Sequence, residues 1–228
     1  MKLKILEELD EEHRVIEELA GSLVCFARLA KEGKIEEPAK ELKVFTQLFT
    51  EFLEGYHFKK ETEIVFDSLF QLGIPVSKGP MYYYELEHDH HKEDTKHLEK
   101  FASLKSWSDT EKDEVVEISE KFCAEVWEHI DKEDSVVFPE VEERVKGKIV
   151  KGIEEKHVEF EKKIDRASFL NKGRELITKY KPVDKLHNVI RGDGCVSCRY
   201  YGEGCSGIEH EWWSEHEWED FFARNKGD

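Results

Sequence analysis

The sequence predicts an all-α protein: an antiparallel, up-down four-helix bundle over residues 1–145, extended by extra C-terminal helices and a small Cys-rich appendage. Apolar residues recur at steps of three and four along most of the chain, the period of one buried helical face. Charged residues, 38% of the chain, are interleaved with them, as in helices with one wet side. Breaks at Gly33, at Gly73-Ile74-Pro75 and at Trp107-Ser108-Asp109 divide the first 145 residues into four such stretches.

The first helix is read from Ile5, Leu9, His13, Ile16, Ala20 and Leu23, which share one stripe. The second starts near Pro38 and carries Leu42, Phe45, Phe49, Phe52, Leu53, Tyr56, His57, Glu61 and Ile64. The third begins near Pro80, with Met81, Tyr84, His88, His91, Thr95 and Leu98 inside. Ser108 or Asp109 caps the fourth, whose inner positions are Val115, Ile118, Phe122, Val126, His129, Glu133 and Val137, before Phe138-Pro139 disturbs its end. Four amphipathic helices with short connections satisfy one another as a bundle, since each buries its stripe against two neighbours.

Residues 146–190 form a helical extension, read from Ile149, Ile153, Phe160 and Ile164 and then from Leu176, Ile177 and Tyr180 up to Pro182. Residues 191–228 comprise a Cys-rich segment and an acidic, Trp-rich terminal helix. Cys25 and Cys123 stand alone within apolar helical patterns and read as core packing. No internal repeat is visible.

Composition narrows the function. A formal charge of −17 repels phosphate backbones and anionic headgroups, which disfavours nucleic acid and membrane surfaces as partners. No apolar run is long enough to span a bilayer and the start turns acidic at Glu7-Glu8, so a cytoplasmic location is expected.

The chemistry lies on the inner stripes. His57 and Glu61 are four residues apart, as are His129 and Glu133, so each pair projects side by side from one helix. His13 and His88 add an imidazole from each remaining helix. An uncompensated buried polar group costs about 2 kcal/mol or more, so six of them call for protons, hydrogen bonds or a metal. Mixed imidazole and carboxylate donors suit iron ahead of zinc or manganese. Two carboxylates able to bridge argue for two ions. For any single pair, chance spacing on a charged helix is the simpler reading; agreement of four helices favours the metal. His90, His97 and His157 are read as surface residues.

Glu12-His13, His57-x-x-x-Glu61, Gly79-Pro80 followed by Glu87-His88, and His129-x-x-x-Glu133 followed by Val137-Phe138-Pro139 together resemble the hemerythrin-like, or HHE cation-binding, domain. The resemblance covers about the first 145 residues. It implies a di-iron (Fe–O–Fe) centre with His13, His57, His88 and His129 as terminal ligands and Glu61 and Glu133 bridging. It also implies oxygen binding, reaction with peroxide or nitric oxide, or iron sensing. The oxygen-carrying members have two histidines four residues apart on the third helix, whereas Lys92 stands four after His88. His91 as an additional ligand, Tyr84, or an open position for water are the alternatives. Glu54-x-x-His57 and Glu85-x-x-His88 also resemble the paired motifs of ferritin-like di-iron enzymes, but that reading leaves His13, His129 and Glu133 without a role.

Cys195-x-x-Cys198, Cys205 and His210 form a second metal-site candidate, with His187 or His216 as alternative fourth ligands. Zinc or an Fe–S cluster is the metal reading; a redox-active thiol pair or a disulfide is the other. The aromatic stretch from Glu209 to Arg224 is expected to dock on the helices, or to form a homodimer or regulatory-partner interface. Two functional classes follow: a redox-active di-iron protein acting on a small diatomic ligand or peroxide, and a non-catalytic sensor signalling through the appendage. An iron store or a structural metal bundle is the plainer third reading.

Overall fold

The computed structural model describes residues 3–74, 79–162 and 164–184, and among these every regular element is helical. The first helix spans Lys4–Lys31 and gives way to a turn at Gly33, whose φ of +72° suits a residue without a Cβ. The second helical run, 38–70, opens with a proline at its first position and alternates between two windings. These are α-helix Pro38–Leu48, π-helix Phe49–His57, an α-helical turn Phe58–Lys60, π-helix Glu61–Phe66 and α-helix Asp67–Phe70. The third helix is Gly79–Ala102.

The fourth helical run, 109–144, begins in a capping box. Ser108 Oγ accepts from the Glu111 N–H at 3.3 Å, and the Glu111 carboxylate accepts from the Ser108 N–H at 2.6 Å. It proceeds through Asp109–Lys132, a π-helix Glu133–Val137 and an α-helix Phe138–Arg144. Phe138-Pro139 therefore does not end this helix. The wide π turn immediately before it gives room to a ring that would otherwise meet the carbonyl four residues back, and Pro139 continues the run.

The fifth helix, Lys148–Glu161, stops short of Ile164, and the sixth, Arg166–Lys179, opens with Asp165 accepting from the Ser168 N–H at 3.0 Å. The first helix packs on the fourth and on the sixth, the second run on the third, and the third on the fourth. Gly173 lets the sixth helix approach closely: a Cβ there would come within 2.9 Å of Val15 Cγ1. Trp127 Nε1 donates to the Glu17 carbonyl at 3.0 Å, joining the fourth run to the first helix.

The inner stripes predicted for the four bundle helices are buried with one exception, half-buried Ile118; in the extension Ile149, Phe160, Ile164 and Ile177 are half-buried. Cys123 lies in the core, whereas Cys25, also expected there, is half-buried. Buried apolar residues fall into two clusters. One contains Val15 to Ala30, Phe45 to Phe58, Leu98 and Val115 to Ile130; the other contains Leu3 to Leu9, Ile64 to Leu69, Met81, Tyr84 and Val137 to Val145. On each of the four long stretches the chemistry-bearing residues lie between the two, so a polar layer is sealed by apolar packing on both sides. Residues 191–228, with the expected Cys-rich segment and terminal helix, lie outside the described residues.

Candidate metal centre

The polar layer brings together all six residues that the spacing singles out. His13 comes from the first helix, His57 and Glu61 from the second run, His88 from the third helix, and His129 and Glu133 from the fourth run; each is at most 2% exposed. Glu61 and Glu133 each begin a π-helical segment, the kind of local rewinding that recurs at functional sites.

Their donor atoms form two sets that share both carboxylates: His13, His57, Glu61 and Glu133 in one, Glu61, His88, His129 and Glu133 in the other. Glu61 Oε1 lies 3.3 Å from His13 Nε2 and 3.1 Å from His57 Nε2, while its Oε2 lies 3.4 Å from His88 Nε2. Glu133 Oε2 lies 3.3 Å from His13 Nε2, and its Oε1 lies 3.5 Å from His129 Nε2. Each carboxylate thus turns one oxygen toward each set, as a bridge between two ions would. His88 Nε2 and His129 Nε2 face each other at 3.0 Å. Two ligand atoms about 2.1 Å from one ion and about 90° apart lie about 3 Å from each other, so the spacings fit shared ions.

The hydrogen-bond accounting agrees. Glu61 Oε2 and both oxygens of Glu133 are buried without a hydrogen-bond partner, although such groups are normally satisfied. A cation in each set would engage them.

The outer nitrogens of three histidines are held by carboxylates, which leaves Nε2 aimed inward. His13 Nδ1 pairs with Asp134 at 2.8 Å, His57 Nδ1 with Glu12 at 2.9 Å and His129 Nδ1 with Glu87 at 2.9 Å. Lys60 then donates to Glu12 at 2.5 Å and Lys132 to Glu87 at 2.5 Å. The motif His-x-x-Lys-Glu therefore occurs twice, at 57–61 and 129–133, each time paired with the Glu-His dipeptide of a neighbouring helix. Although no repeat was expected, the two halves of the centre are built alike. Asp134, Lys60 and Lys132 were not singled out by sequence, and Glu87 entered only as part of the Glu87-His88 motif, but each acidic partner adjoins a candidate ligand and each lysine precedes Glu61 or Glu133. His88 is held differently, between the ring of Phe58, stacked at 3.9 Å, and that of Phe66 at 5.8 Å.

Charge follows this geometry. Burial depresses the histidines, but at His13 the carboxylates of Asp134, Glu133 and Glu61 outweigh it and hold the pKa well above its ordinary value. His57 and His129 are raised against burial by Glu61 with Glu12 and by Glu133 with Glu87. His88 is pulled down to about 4 by burial, Glu61 notwithstanding. Burial would raise Glu61, yet His57, His13 and His88 hold it well below the carboxylate range; Glu133 is pushed up by burial and by the like charge of Glu61. A metal replaces the protons that such a cluster otherwise shares.

His91 is buried, packed near Phe58, Phe122 and His129, with neither ring nitrogen hydrogen-bonded, and it enters neither donor set. Tyr84 lies edge-on to His129 at 6.0 Å. Lys92 points outward and donates to Asp89 at 2.9 Å. Glu54 and Glu85, from the competing motifs, enter neither set.

His90 and His97 are exposed as expected, but His157 is not: it is buried and paired with Glu8 at 2.8 Å, near Glu161. It sits where the fifth helix meets the first, and an isolated reading of the extension could not locate that contact. Cys195, Cys198, Cys205, His210, His187 and His216 lie outside the described residues.

No curated protein and no solved structure gives a significant match to the chain. The family model of the hemerythrin HHE cation-binding domain matches residues 4–141, more than half of the chain and all six residues of the two donor sets. On that match the chain belongs to the hemerythrin HHE cation-binding domain family.

Proposed function

We propose that the protein is a non-haem di-iron protein that binds or reacts with dioxygen, peroxide or nitric oxide. The observation that carries this reading is the pair of overlapping donor sets, in which Glu61 and Glu133 each turn one oxygen to either side. Two histidines and two bridging carboxylates per ion suit iron and leave coordination positions for an exogenous ligand. Iron, when bound, supplies the redox chemistry and the affinity for small diatomic ligands.

The chain's own residues do the rest. His13, His57, His88 and His129 would hold the ions from the four corners; Glu12, Asp134 and Glu87 keep three of the rings turned inward. Phe58, Phe66 and Phe122 exclude water, and His91 stands beside His129 as an uncommitted polar group within the sealed layer. A cleft of about 370 Å³ lined by Asp10, Arg14, Asp134, Phe138, Pro139 and Glu142 ends on two residues that contact His13: Asp134, which pairs with its Nδ1, and Phe138, which stacks on its ring at 5.2 Å. That cleft is the approach we assign to small reactants.

The four long stretches are read as an antiparallel up-down bundle around this layer. Along the first and third the chain passes from the Leu9/Tyr84 cluster to the Val15/Leu98 cluster; along the second and fourth it passes the other way. A second function, a non-catalytic iron, oxygen or redox sensor, is favoured by one observation: the sixth helix reaches the centre through Arg166, which donates to Glu12 at 2.7 Å.

Metal analysis of anaerobically purified protein, with optical spectra before and after air, peroxide and nitric oxide, tests the proposal. About two irons per chain and charge-transfer bands that change on exposure are expected. Zinc alone, or no metal after anaerobic iron loading, would sink it. Catalytic consumption of peroxide or nitric oxide separates the redox protein from the sensor.

A further inference from the structure

The two halves of the centre share a plan but not their surroundings. Glu12 holds His57 with Oε2, and its Oε1 accepts from Lys60 at 2.5 Å and from Arg166 Nε at 2.7 Å. Arg166 also donates through Nη2 to the Glu8 carbonyl and to Glu11, each at 2.9 Å, and so grips the turn of the first helix that precedes His13. Tyr56 accepts from Lys60 at 2.8 Å and donates to Glu161 at 2.6 Å, tying the same cluster to the fifth helix. Arg166 and Glu161 lie beyond the family match, which ends at 141.

The mirror position is open. Glu87 holds His129 and accepts from Lys132, which also pairs with Glu128 at 2.9 Å, but its side chain is 27% exposed whereas that of Glu12 is 0% exposed. Among the described residues, no hydrogen bond or ion pair joins the fifth or sixth helix to Glu87 or Lys132.

We infer that the helical extension makes the two metal positions unequal: Arg166 is a positioning residue for His57, acting through Glu12, so the His13/His57 position binds its ion first and more tightly. This rests on the two-ion reading. The physical ground is preorganisation. A ring whose hydrogen-bond partner is itself clamped by two cations loses less freedom when the metal binds, whereas Glu87 at the open position is held by one cation, Lys132, and is partly exposed. The His88/His129 position, next to uncommitted His91, is then the more labile one.

Anaerobic titration of the metal-free full chain with ferrous iron, followed by calorimetry, decides it. Wild type should bind two ions in two resolved steps. Arg166→Gln should weaken the first step by about 10- to 100-fold and leave the second unchanged, with Arg166→Lys recovering part of the loss. Glu87→Gln should weaken only the second step. Arg174→Gln, which removes only an exposed pairing with Glu11, should change neither. Should Arg166→Gln not fold by far-UV circular dichroism, Arg166→Lys, which keeps the charge but not the paired Nε and Nη2 contacts, carries the same expectation in smaller measure.

Two equal sites in wild type overturn the inference, as does a variant that weakens both steps alike or neither. Wild type that binds fewer than two ions overturns the di-iron reading and the inference with it.

Discussion

Glu61 and Glu133 show one burial with two electrostatic outcomes. Glu61 is surrounded by three imidazoles and stays ionised; Glu133 is penalised by burial and by Glu61, and neither of its oxygens has a hydrogen bond. Because the folded state raises the pKa of Glu133, its ionised form opposes folding near neutral pH when no metal is present. Glu133→Gln is therefore expected to leave the metal-free protein at least as stable as wild type in urea denaturation while lowering its iron content below two per chain. His91 supports a companion test. Replacing a buried imidazole whose nitrogens lack partners by an apolar side chain of similar size removes a desolvation cost of about 1–3 kcal/mol. His91→Leu should raise the midpoint of metal-free unfolding and keep two ions bound, since His91 lies outside both donor sets; an iron content reduced to one would make His91 a ligand.

At the scale of the element, helix starts and windings set the depth at which donors arrive. The Ser108–Glu111 box fixes where the fourth run begins, and from there the i to i+4 spacing carries His129 and Glu133 to the layer. Ser108→Ala should cost about 1 kcal/mol in urea denaturation, with iron content intact. Helix existence and inner stripes were legible in the sequence because a 3.6-residue period is local information. The π segments were not. A π turn adds a residue to one turn without altering the apolar pattern enough to announce itself, and Phe138-Pro139 read as a disturbance at the helix end because its accommodation depends on that turn.

Across the whole molecule, the extension packs on the bundle through buried Ile153, Leu170, Leu176 and Tyr180, and cations tie its rim to acidic residues of the bundle. Lys156 donates to Asp67 at 2.6 Å, Arg174 to Glu11 at 3.0 Å and Lys179 to Glu41 at 2.6 Å, besides the Arg166 clamp. Asp67 and Glu11 are lowered first by their hydrogen bonds to Lys156 and Arg166; Glu41 is lowered by Lys179 despite burial. Groups with lowered folded pKa values stabilise docking above their ordinary carboxylate range, and that contribution is lost as pH falls through the lowered values. Amide hydrogen exchange over 148–179 should therefore quicken relative to the bundle as pH is taken from 6 toward 3. The same relative loosening is expected at neutral pH as salt is raised, since these pairs are largely exposed. Equal protection of both parts across that range would count against ionic attachment. No helix among the described residues is long and apolar enough to cross a membrane.

The amino-acid sequence by itself determined the helices, their buried faces and the six residues that share the polar layer, because spacing along one helix decides which side chains project together. The tertiary structure decided which oxygen of each glutamate meets which imidazole, that Glu12 serves His57 while Glu87 serves His129, and that His157 is buried. It also placed Arg166, 154 residues from Glu12, against the outer side of the centre. Those pairings depend on the relative depth and rotation of neighbouring helices, which core packing sets and which no periodicity within a single helix records.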